Sequence, residues 1–169
     1  TSPLLLNITP AELTQITVGN GSQNLYVPLD YSHQCSLYQN LYFADEIGAP
    51  GIIYKLVLYN DFPLNLPNMP VKIWMGLTDV PNLVDSWIPA SQLTLVYDGN
   101  LTFPTGQNQI IIPLQTPFTY SGGNLLVMFK RPPGIAYENC YFKGQSTTFT
   151  RARSVAFDGM DIDPNRLSH

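Results

Sequence analysis

Five of the chain's acidic residues fall into two short stretches, one early in the sequence and one near its end. Asp45 and Glu46 form the first, and Asp158, Asp161 and Asp163 form the second. Carboxylates repel one another when clustered, unless a cation or a basic side chain compensates. Ca²⁺ takes about six to eight oxygen ligands from such groups and from backbone carbonyls. The clustering therefore predicts a structural calcium ion that joins the two ends of the domain.

Compensation by arginine is the alternative to a calcium ion. Arg151, Arg153 and Arg166 all lie close to the late cluster in the sequence. The acidic spacing does not match an EF-hand loop, which requires a glycine and a terminal glutamate at fixed positions. Under this alternative the two stretches are ordinary solvated turns.

The residues that usually carry catalysis are sparse. His33 and His169 are the only histidines, and there is no Gly-x-Ser-x-Gly element to present a nucleophile. A glycosidase needs two carboxylates facing each other across a groove, and Glu46 with Glu138 is the conceivable pair. Two cysteines and one internal histidine are too few to suggest a zinc site. We therefore expect a protein that is not an enzyme.

The two cysteines, Cys35 and Cys140, allow two interpretations. They could be separate buried thiols or a single disulfide. A bridge would close a long loop and contribute about 4 kcal/mol in the chain-entropy model. We predict that the two residues lie within bridging reach.

Charge excludes several classes of partner. The chain has 169 residues, of which only 12% are charged, and its formal net charge is −4. No basic run offers the electrostatic footprint of a nucleic-acid-binding protein, and the same lack argues against docking on anionic lipid. No apolar stretch approaches the length of a membrane span, so we expect no membrane insertion.

Proline and glycine interrupt the chain along most of its length and predict short strands rather than long helices. There are 15 Pro and 12 Gly, and a proline inside a helix costs about 3 kcal/mol. Alternating apolar residues and turn residues predict about ten strands. These lie at 13–18, 25–31, 37–43, 51–60, 71–77, 92–97, 101–103, 109–114, 124–131, 139–143 and 153–157. The pattern predicts an all-β, antiparallel two-sheet sandwich of the jelly-roll type.

Particular segments of this sandwich have predicted roles. Gly51–Asn60 is dense in apolar residues and is expected to be buried on both faces. Asp98-Gly99 is typical of a tight hairpin turn, and Gly122-Gly123 is expected to form the turn before Asn124. The predicted core consists of Ile53, Leu56, Leu58, Ile73, Trp74, Leu95, Ile111, Leu125, Val127 and Phe129. We expect residues 1–12 to form a linker or edge segment, 13–165 the sandwich, and 166–169 a tail.

A series of short motifs resembles a known group of modules. These are Val71-Lys72-Ile73-Trp74-Met75-Gly76, Trp87-Ile88-Pro89-Ala90-Ser91, Thr116-Pro117-Phe118-Thr119-Tyr120 and Arg153-Ser154-Val155-Ala156-Phe157. In this order they resemble β-sandwich modules of large secreted proteins of Bacteroidota, similar to cleaved-adhesin and MAM-like jelly rolls. The resemblance implies a jelly roll, a secreted or cell-surface location and adjacent domains in a parent protein. It also implies a structural calcium where early and late segments meet.

Two functions fit these features. The first is a non-catalytic module that binds carbohydrate or another cell-surface ligand, since the 10 Tyr and the uncharged polar residues could stack on and hydrogen-bond to sugars. The second is a structural spacer or adhesion domain that meets a protein partner. A glycoside-active enzyme is the least favoured interpretation.

Overall fold

A computed structural model describes residues 13–148 and 150–167, and nearly all the regular structure in these residues is β-strand. The strands are β1 (Gln23–Leu25), β2 (Cys35–Tyr42), β3 (Gly51–Phe62), β4 (Leu66–Thr78), β5 (Thr94–Phe103), β6 (Gly106–Tyr120), β7 (Asn124–Arg131), β8 (Tyr141–Gly144) and β9 (Ala152–Phe157). A one-turn helix, α1 (Ala44–Ile47), and a 3₁₀ turn at Ala90–Gln92 accompany them. The predicted linker at 1–12 lies outside the described residues.

The strands form two antiparallel sheets, which confirms the predicted sandwich. A four-stranded sheet has the order β1-β8-β3-β6, and a five-stranded sheet has the order β5-β4-β7-β2-β9. Strands β2 to β7 pair as one long hairpin, with β4 against β5, β3 against β6 and β2 against β7. The long hairpin folds back on itself, so that β7 also pairs with β4. This nested pairing produces the jelly-roll arrangement.

Apolar side chains from both sheets fill the space between them. Tyr31, Phe62, Phe103 and Phe142 form an aromatic group with ring centroids 5.2–5.7 Å apart. Most of these pairs meet edge to face, the arrangement that aromatic quadrupoles favour. Aromatic packing thus joins the two sheets at one end of the sandwich.

The five-stranded sheet is covered on its other face too. Residues 79–93 and 158–167, here called the outer layer, pack over it and shield a second set of apolar side chains. This set includes Leu37, Met128, Leu126 and Ile162. Every residue of β7 from Leu125 to Arg131 is consequently buried. The strand buried on both faces is therefore β7, and the prediction that Gly51–Asn60 would be that strand is wrong.

Two buried polar side chains attach the outer layer to the sheet. Gln39 is fully buried, and its amide donates to the carbonyl of Ile88 and accepts from the N–H of Ile88 at 3.0 Å. Lys130, only 7% exposed, places its Nζ 2.9 Å from Oδ1 of Asp161. Buried polar groups are costly unless paired, so these contacts fix the position of both outer-layer segments.

The predicted Asp98-Gly99 hairpin is wrong, because both residues lie within the continuous strand β5. Gly99 is paired with Val71 of β4, and a Cβ at Gly99 would lie 3.0 Å from the Tyr97 hydroxyl. Close approach of a neighbouring side chain, and not a turn, explains this glycine. Gly122-Gly123 does form the turn before β7, with positive φ at both residues.

The predicted core is correct for the central strands and wrong at two positions. Ile73, Leu125, Val127 and Phe129 are buried, and Ile53, Leu56 and Leu58 pack against the same interior cluster. Trp74 lies partly buried beneath the outer layer. Leu95 and Ile111 are instead 42% and 52% exposed.

Local geometry explains both errors. The pairing of β4 with β5 shifts register after Ile73, where Tyr97 is followed by Leu95 as the next partner. The bulge places both Val96 and Tyr97 inside and turns Leu95 outward. Ile111 pairs with Val57 on the solvent side of the four-stranded sheet. The predicted strand at 13–18 is also absent, and Leu13 and Ile16 are exposed.

A buried arginine fastens two loops at the aromatic end of the sandwich. Arg131 is 1% exposed, and its guanidinium donates to the carbonyls of Asp30, His33 and Ile135. Its Cζ also lies 4.5 Å from the centroid of the Tyr31 ring. Burial lowers the pKa of Arg131, but carbonyl oxygens and an aromatic face supply the electron-rich surroundings that its charge requires.

We predict that Arg131→Met destabilises the fold strongly. The change removes three hydrogen bonds from a charged donor, each of which contributes about 1.5–3 kcal/mol, so the expected loss is at least about 3 kcal/mol. Urea denaturation measures it, with Arg131→Lys as an intermediate case. Arg166→Met, at a side chain that is 88% exposed, is the control. Equal stability of the Arg131 and Arg166 variants would refute the fastening role.

Candidate ligand-binding face

The only internal histidine lies in a cluster that resembles a catalytic triad in composition. His33 Nδ1 is 3.1 Å from Asp30 Oδ2 and 3.2 Å from the Ser32 hydroxyl. The Ser32 hydroxyl itself donates to Asp30. In a working triad the serine meets the imidazole nitrogen opposite the one that the carboxylate orients. Here one nitrogen faces both partners, so the arrangement orders a turn without preparing a nucleophile.

The structure separates the acidic residues that the sequence grouped. Asp161 pairs with Lys130, Asp163 lies 3.7 Å from Arg166, and Asp158 accepts the backbone N–H of Gln34. Within 13–148 and 150–167, no group of three potential metal-ligating side chains comes together. Calcium binding stays a prediction. The pairing of Asp161 with Lys130 and of Asp163 with Arg166 is the kind of compensation by basic side chains that was the alternative to a calcium ion.

In the early acidic pair, Asp45 and Glu46, the glutamate also has a basic partner. Arg151, from the late part of the chain, holds Glu46 through both of its terminal nitrogens, at 2.7 Å and 2.5 Å. Glu46 also accepts the N–H of Phe43, which caps α1. Asp45 is exposed on the same helix. Early and late segments do meet here, through an ion pair.

The predicted bridge between the cysteines is not formed. Cys35 lies under the outer layer and its thiol faces the carbonyl of Met160 at 2.8 Å, whereas Cys140 lies in the sandwich interior. The two residues are thus on opposite sides of the five-stranded sheet, and both are buried thiols. Desolvation raises the pKa of Cys140 to about 11 and also raises that of Cys35, so neither is an activated nucleophile.

Most of the tyrosines serve the core. Tyr31, Tyr97 and Tyr120 are buried, and Tyr38 and Tyr42 pack against the same cluster. Three others gather on the solvent side of the four-stranded sheet. We call this surface the tyrosine face, and it consists of Tyr26, Tyr59, Tyr141, Asn24, Asp61, Lys143, Gln107 and Gln109.

Strand alternation and register assemble the tyrosine face. Phe142 points into the core, so its neighbours Tyr141 and Lys143 on β8 point outward. Asp61 is paired with Tyr141 on one side and with Gln107 on the other. Tyr26 directly follows β1, and its ring lies beside that of Tyr141. One row across the sheet therefore reads Tyr26, Tyr141, Asp61, Gln107.

A second row lies directly beside the first. Asn24 is paired with Lys143, and Tyr59 is paired with Gln109. Neighbouring strands are about 4.8 Å apart, so each row spans roughly 14 Å of surface across four strands. The first row contains two adjacent tyrosines followed by two hydrogen-bonding side chains, and the second contains one tyrosine among three hydrogen-bonding side chains.

The aromatic part of the face is accessible. Tyr26 and Tyr59 are 39% and 40% exposed. The rings of Tyr26 and Tyr141 lie 4.9 Å apart at 46°, and their hydroxyls are 3.2 Å apart. That hydrogen bond is the largest cause of the raised pKa of Tyr26. The pair is thus held in a defined geometry at the surface, where Tyr26 is exposed and Tyr141 is partly exposed.

A compact polar network lies among the rings. Lys143 Nζ lies 2.9 Å from Asp61 Oδ2 and 2.6 Å from Asn24 Oδ1. Gln107 Nε2 reaches the same Asp61 oxygen at 3.3 Å. The network already fixes these side chains, so they would lose little rotamer freedom if a ligand bound there.

Two shallow grooves lie elsewhere, beside residues 79–93. One is lined by Phe43, Pro81, Asn82, Val84, Thr148 and Thr150, and the other by Leu77, Thr78, Val80, Ser86, Trp87, Ile88, Pro89, Gln92 and Leu93. Their linings are uncharged and bring together no set of groups suited to acid–base chemistry. Trp87, which lines the second groove, is partly buried against the outer-layer cluster.

Sequence reasoning identified the abundance of tyrosine but not the residues of the tyrosine face. The alternation of Gln107, Gln109 and Ile111 with inward-facing Asn108 and Ile110 was a usable indication that β6 has a polar outer side. Which strands lie beside β6 could not be read from this pattern, because the pairing is between residues far apart in the sequence.

We predict that Glu46→Gln weakens the fold at neutral pH and has little effect in acid. Arg151 lowers the pKa of Glu46, so the ionised carboxylate stabilises the folded state above the ordinary glutamate pKa of about 4.3. This stability is lost as pH falls through the lowered folded-state pKa.

Thermal unfolding of both proteins from about pH 2 to about pH 7 tests this. Because the Glu46 side chain is 26% exposed, the difference at neutral pH should be only about 0.5–1 kcal/mol. Asp45→Asn makes the same charge change in the same helical turn and serves as the control. A difference that persists unchanged at the acid end would show that the ion pair is not its cause.

Comparison with known proteins adds no family to this picture. No family model matches the chain, and no curated protein and no solved structure is significantly similar to it. None of the helices in the described part of the chain has the length and hydropathy needed to cross a membrane. Because a β-sandwich hosts many functions, the function has to be argued from the tyrosine face itself.

Proposed function

We propose that this chain is a non-catalytic module of a larger secreted or cell-surface protein, and that it binds carbohydrate through the tyrosine face. The observation that carries the proposal is the convergence of two exposed tyrosines, Tyr26 and Tyr59, and the partly exposed Tyr141 with amide and carboxylate side chains on one sheet surface. Tyrosine rings cover the apolar faces of sugar rings, and amides and carboxylates bond their hydroxyls.

The surrounding structure supports a binding role for this face. The four-stranded sheet packs on the core with one side only, whereas the five-stranded sheet is covered on both sides. Among the described residues, 13–148 and 150–167, the tyrosine face is therefore the broad sheet surface that no other segment covers. Its position on paired strands also favours precision, since sites on regular elements are held more rigidly than sites on loops.

The three tyrosines are not equivalent in the proposal. Tyr59 has no ring partner among the aromatic pairs of the face and is 40% exposed, so its ring is available for stacking. The rings of Tyr26 and Tyr141 are in contact, with centroids 4.9 Å apart and a tilt of 46°, and together they form a single wider aromatic surface. A sugar chain lying across the strands would meet this aromatic surface in one row and Tyr59 in the next.

We predict that Tyr59→Ala weakens binding of polysaccharide at least about tenfold, which corresponds to about 1.4 kcal/mol. Affinity electrophoresis in gels containing hydroxyethylcellulose, galactomannan, arabinoxylan, alginate or polygalacturonate would identify a binding polymer. Isothermal titration would then quantify the loss.

Tyr54→Ala is the matched control, because Tyr54 lies on the same strand and is 45% exposed but is not part of the tyrosine face. An equal loss in both variants would contradict the location of the site. Absence of binding to every polymer would contradict the function and favour the alternative, a spacer or protein-interaction domain.

A further inference from the structure

We infer that the tyrosine face selects neutral glycans and rejects acidic ones, and that Asp61 is the residue that determines this selectivity. The inference rests on the proposed carbohydrate-binding function. It concerns the substrate class, which neither the fold nor the presence of tyrosines decides.

The cation of the face is already neutralised. Lys143 Nζ contacts Asp61 Oδ2 at 2.9 Å and Asn24 Oδ1 at 2.6 Å, so two of the three ammonium hydrogens have acceptors. The pair is held partly out of solvent, with side chains that are 26% and 29% exposed. A ligand carboxylate or sulfate would have to break this pair before Lys143 could bind it.

The charges around the face also oppose an anion. Asp30 and Glu138 both act on the Tyr26 hydroxyl and, after the hydrogen bond to Tyr141 and desolvation, contribute to its raised pKa. The chain as a whole carries a formal charge of −4. Lys55 is on the same strand as Tyr59 but four residues away, roughly 13 Å along the strand. An acidic glycan therefore meets a negative potential and a carboxylate whose neighbouring cation, Lys143, is already paired.

A neutral glycan meets a different surface. Asp61 and Asn24 present acceptor oxygens, and Gln107 and Gln109 present amides, to the hydroxyls that line a sugar chain. The tyrosine rings carry no charge to exclude it. Discrimination between neutral and acidic glycans thus comes from the Asp61 carboxylate, which repels an anionic ligand. Specific binding sites commonly contain such a repulsive group.

The test compares wild type with Asp61→Asn on polymers of both classes. The substitution keeps the size of the side chain but removes the charge that holds Lys143, so Lys143 becomes available to acidic sugars. The expected result is wild-type preference for hydroxyethylcellulose, galactomannan or arabinoxylan over alginate, polygalacturonate and heparin. In D61N the ratio of acidic to neutral affinity should rise at least about tenfold, and the gain should fall as salt is added.

Two further variants make the result decisive. Adding Lys143→Gln to D61N should abolish the gain. Asp98→Asn removes a carboxylate from the exposed Lys72–Asp98 pair at 3.7 Å on β4 and β5, so it changes the net charge equally but away from the face. If D98N raises acidic binding as much as D61N does, net charge and not this site decides, and the inference fails.

The inference and the proposed function fail in different ways. Wild-type protein that binds alginate or heparin more tightly than any neutral polymer, with Tyr59→Ala removing that binding, would overturn the selectivity and leave the function standing. Wild-type protein that binds no polymer of either class would overturn both.

Discussion

Coverage of the five-stranded sheet on both faces is the constraint on which the rest of the molecule depends. Strand β7 lies at its centre, and each residue from Leu125 to Arg131 is removed from water. Apolar burial contributes about 25 cal/mol per Å², so a strand buried on two sides contributes about twice what a half-buried strand does. That gain requires the outer layer, and the outer layer requires partners for its own polar groups.

Several of the few charged residues in the chain act as those partners. Lys130 is paired with Asp161, and Arg151 with Glu46. The carboxylates that look in sequence like a metal site thereby attach the outer layer and the short helix α1 to the sheet. Arg131 plays the corresponding role in the interior, where it satisfies backbone carbonyls of two loops at once. Each buried cation is accompanied by acceptors, as the cost of burying charge requires.

The same constraint leaves the other sheet as the place for the proposed binding face. In the described part of the chain, the broad strand surface left uncovered is the outer side of the four-stranded sheet, and its register gathers Tyr26, Tyr59 and Tyr141 around the Asp61–Lys143 pair. A face built in this way combines rigid aromatic area with fixed hydrogen-bonding groups. This combination is what the proposed recognition of sugar rings requires, since the rings can stack and the fixed groups can bond hydroxyls.

The sequence by itself determined the fold class, because proline, glycine and alternating apolar residues act over distances of a few residues. Strand β7 was predicted at its observed bounds, and Gly122-Gly123 was predicted as its preceding turn.

Prediction from the local sequence pattern was wrong where the burial or conformation of a residue depends on the segments packed against it. Asp98-Gly99 has the composition of a hairpin turn, yet pairing with β4 keeps it in a strand; Leu95 and Ile111 are apolar, yet a bulge and an uncovered sheet face expose them. Sheet order alone places Cys35 and Cys140 on opposite sides of a sheet, pairs Glu46 with Arg151 and Asp161 with Lys130, and brings three tyrosines onto one surface. Each of these facts depends on contacts between segments that are far apart in the sequence, such as Tyr26 with Tyr141 and Glu46 with Arg151, and such contacts are set by sheet order rather than by neighbouring residues.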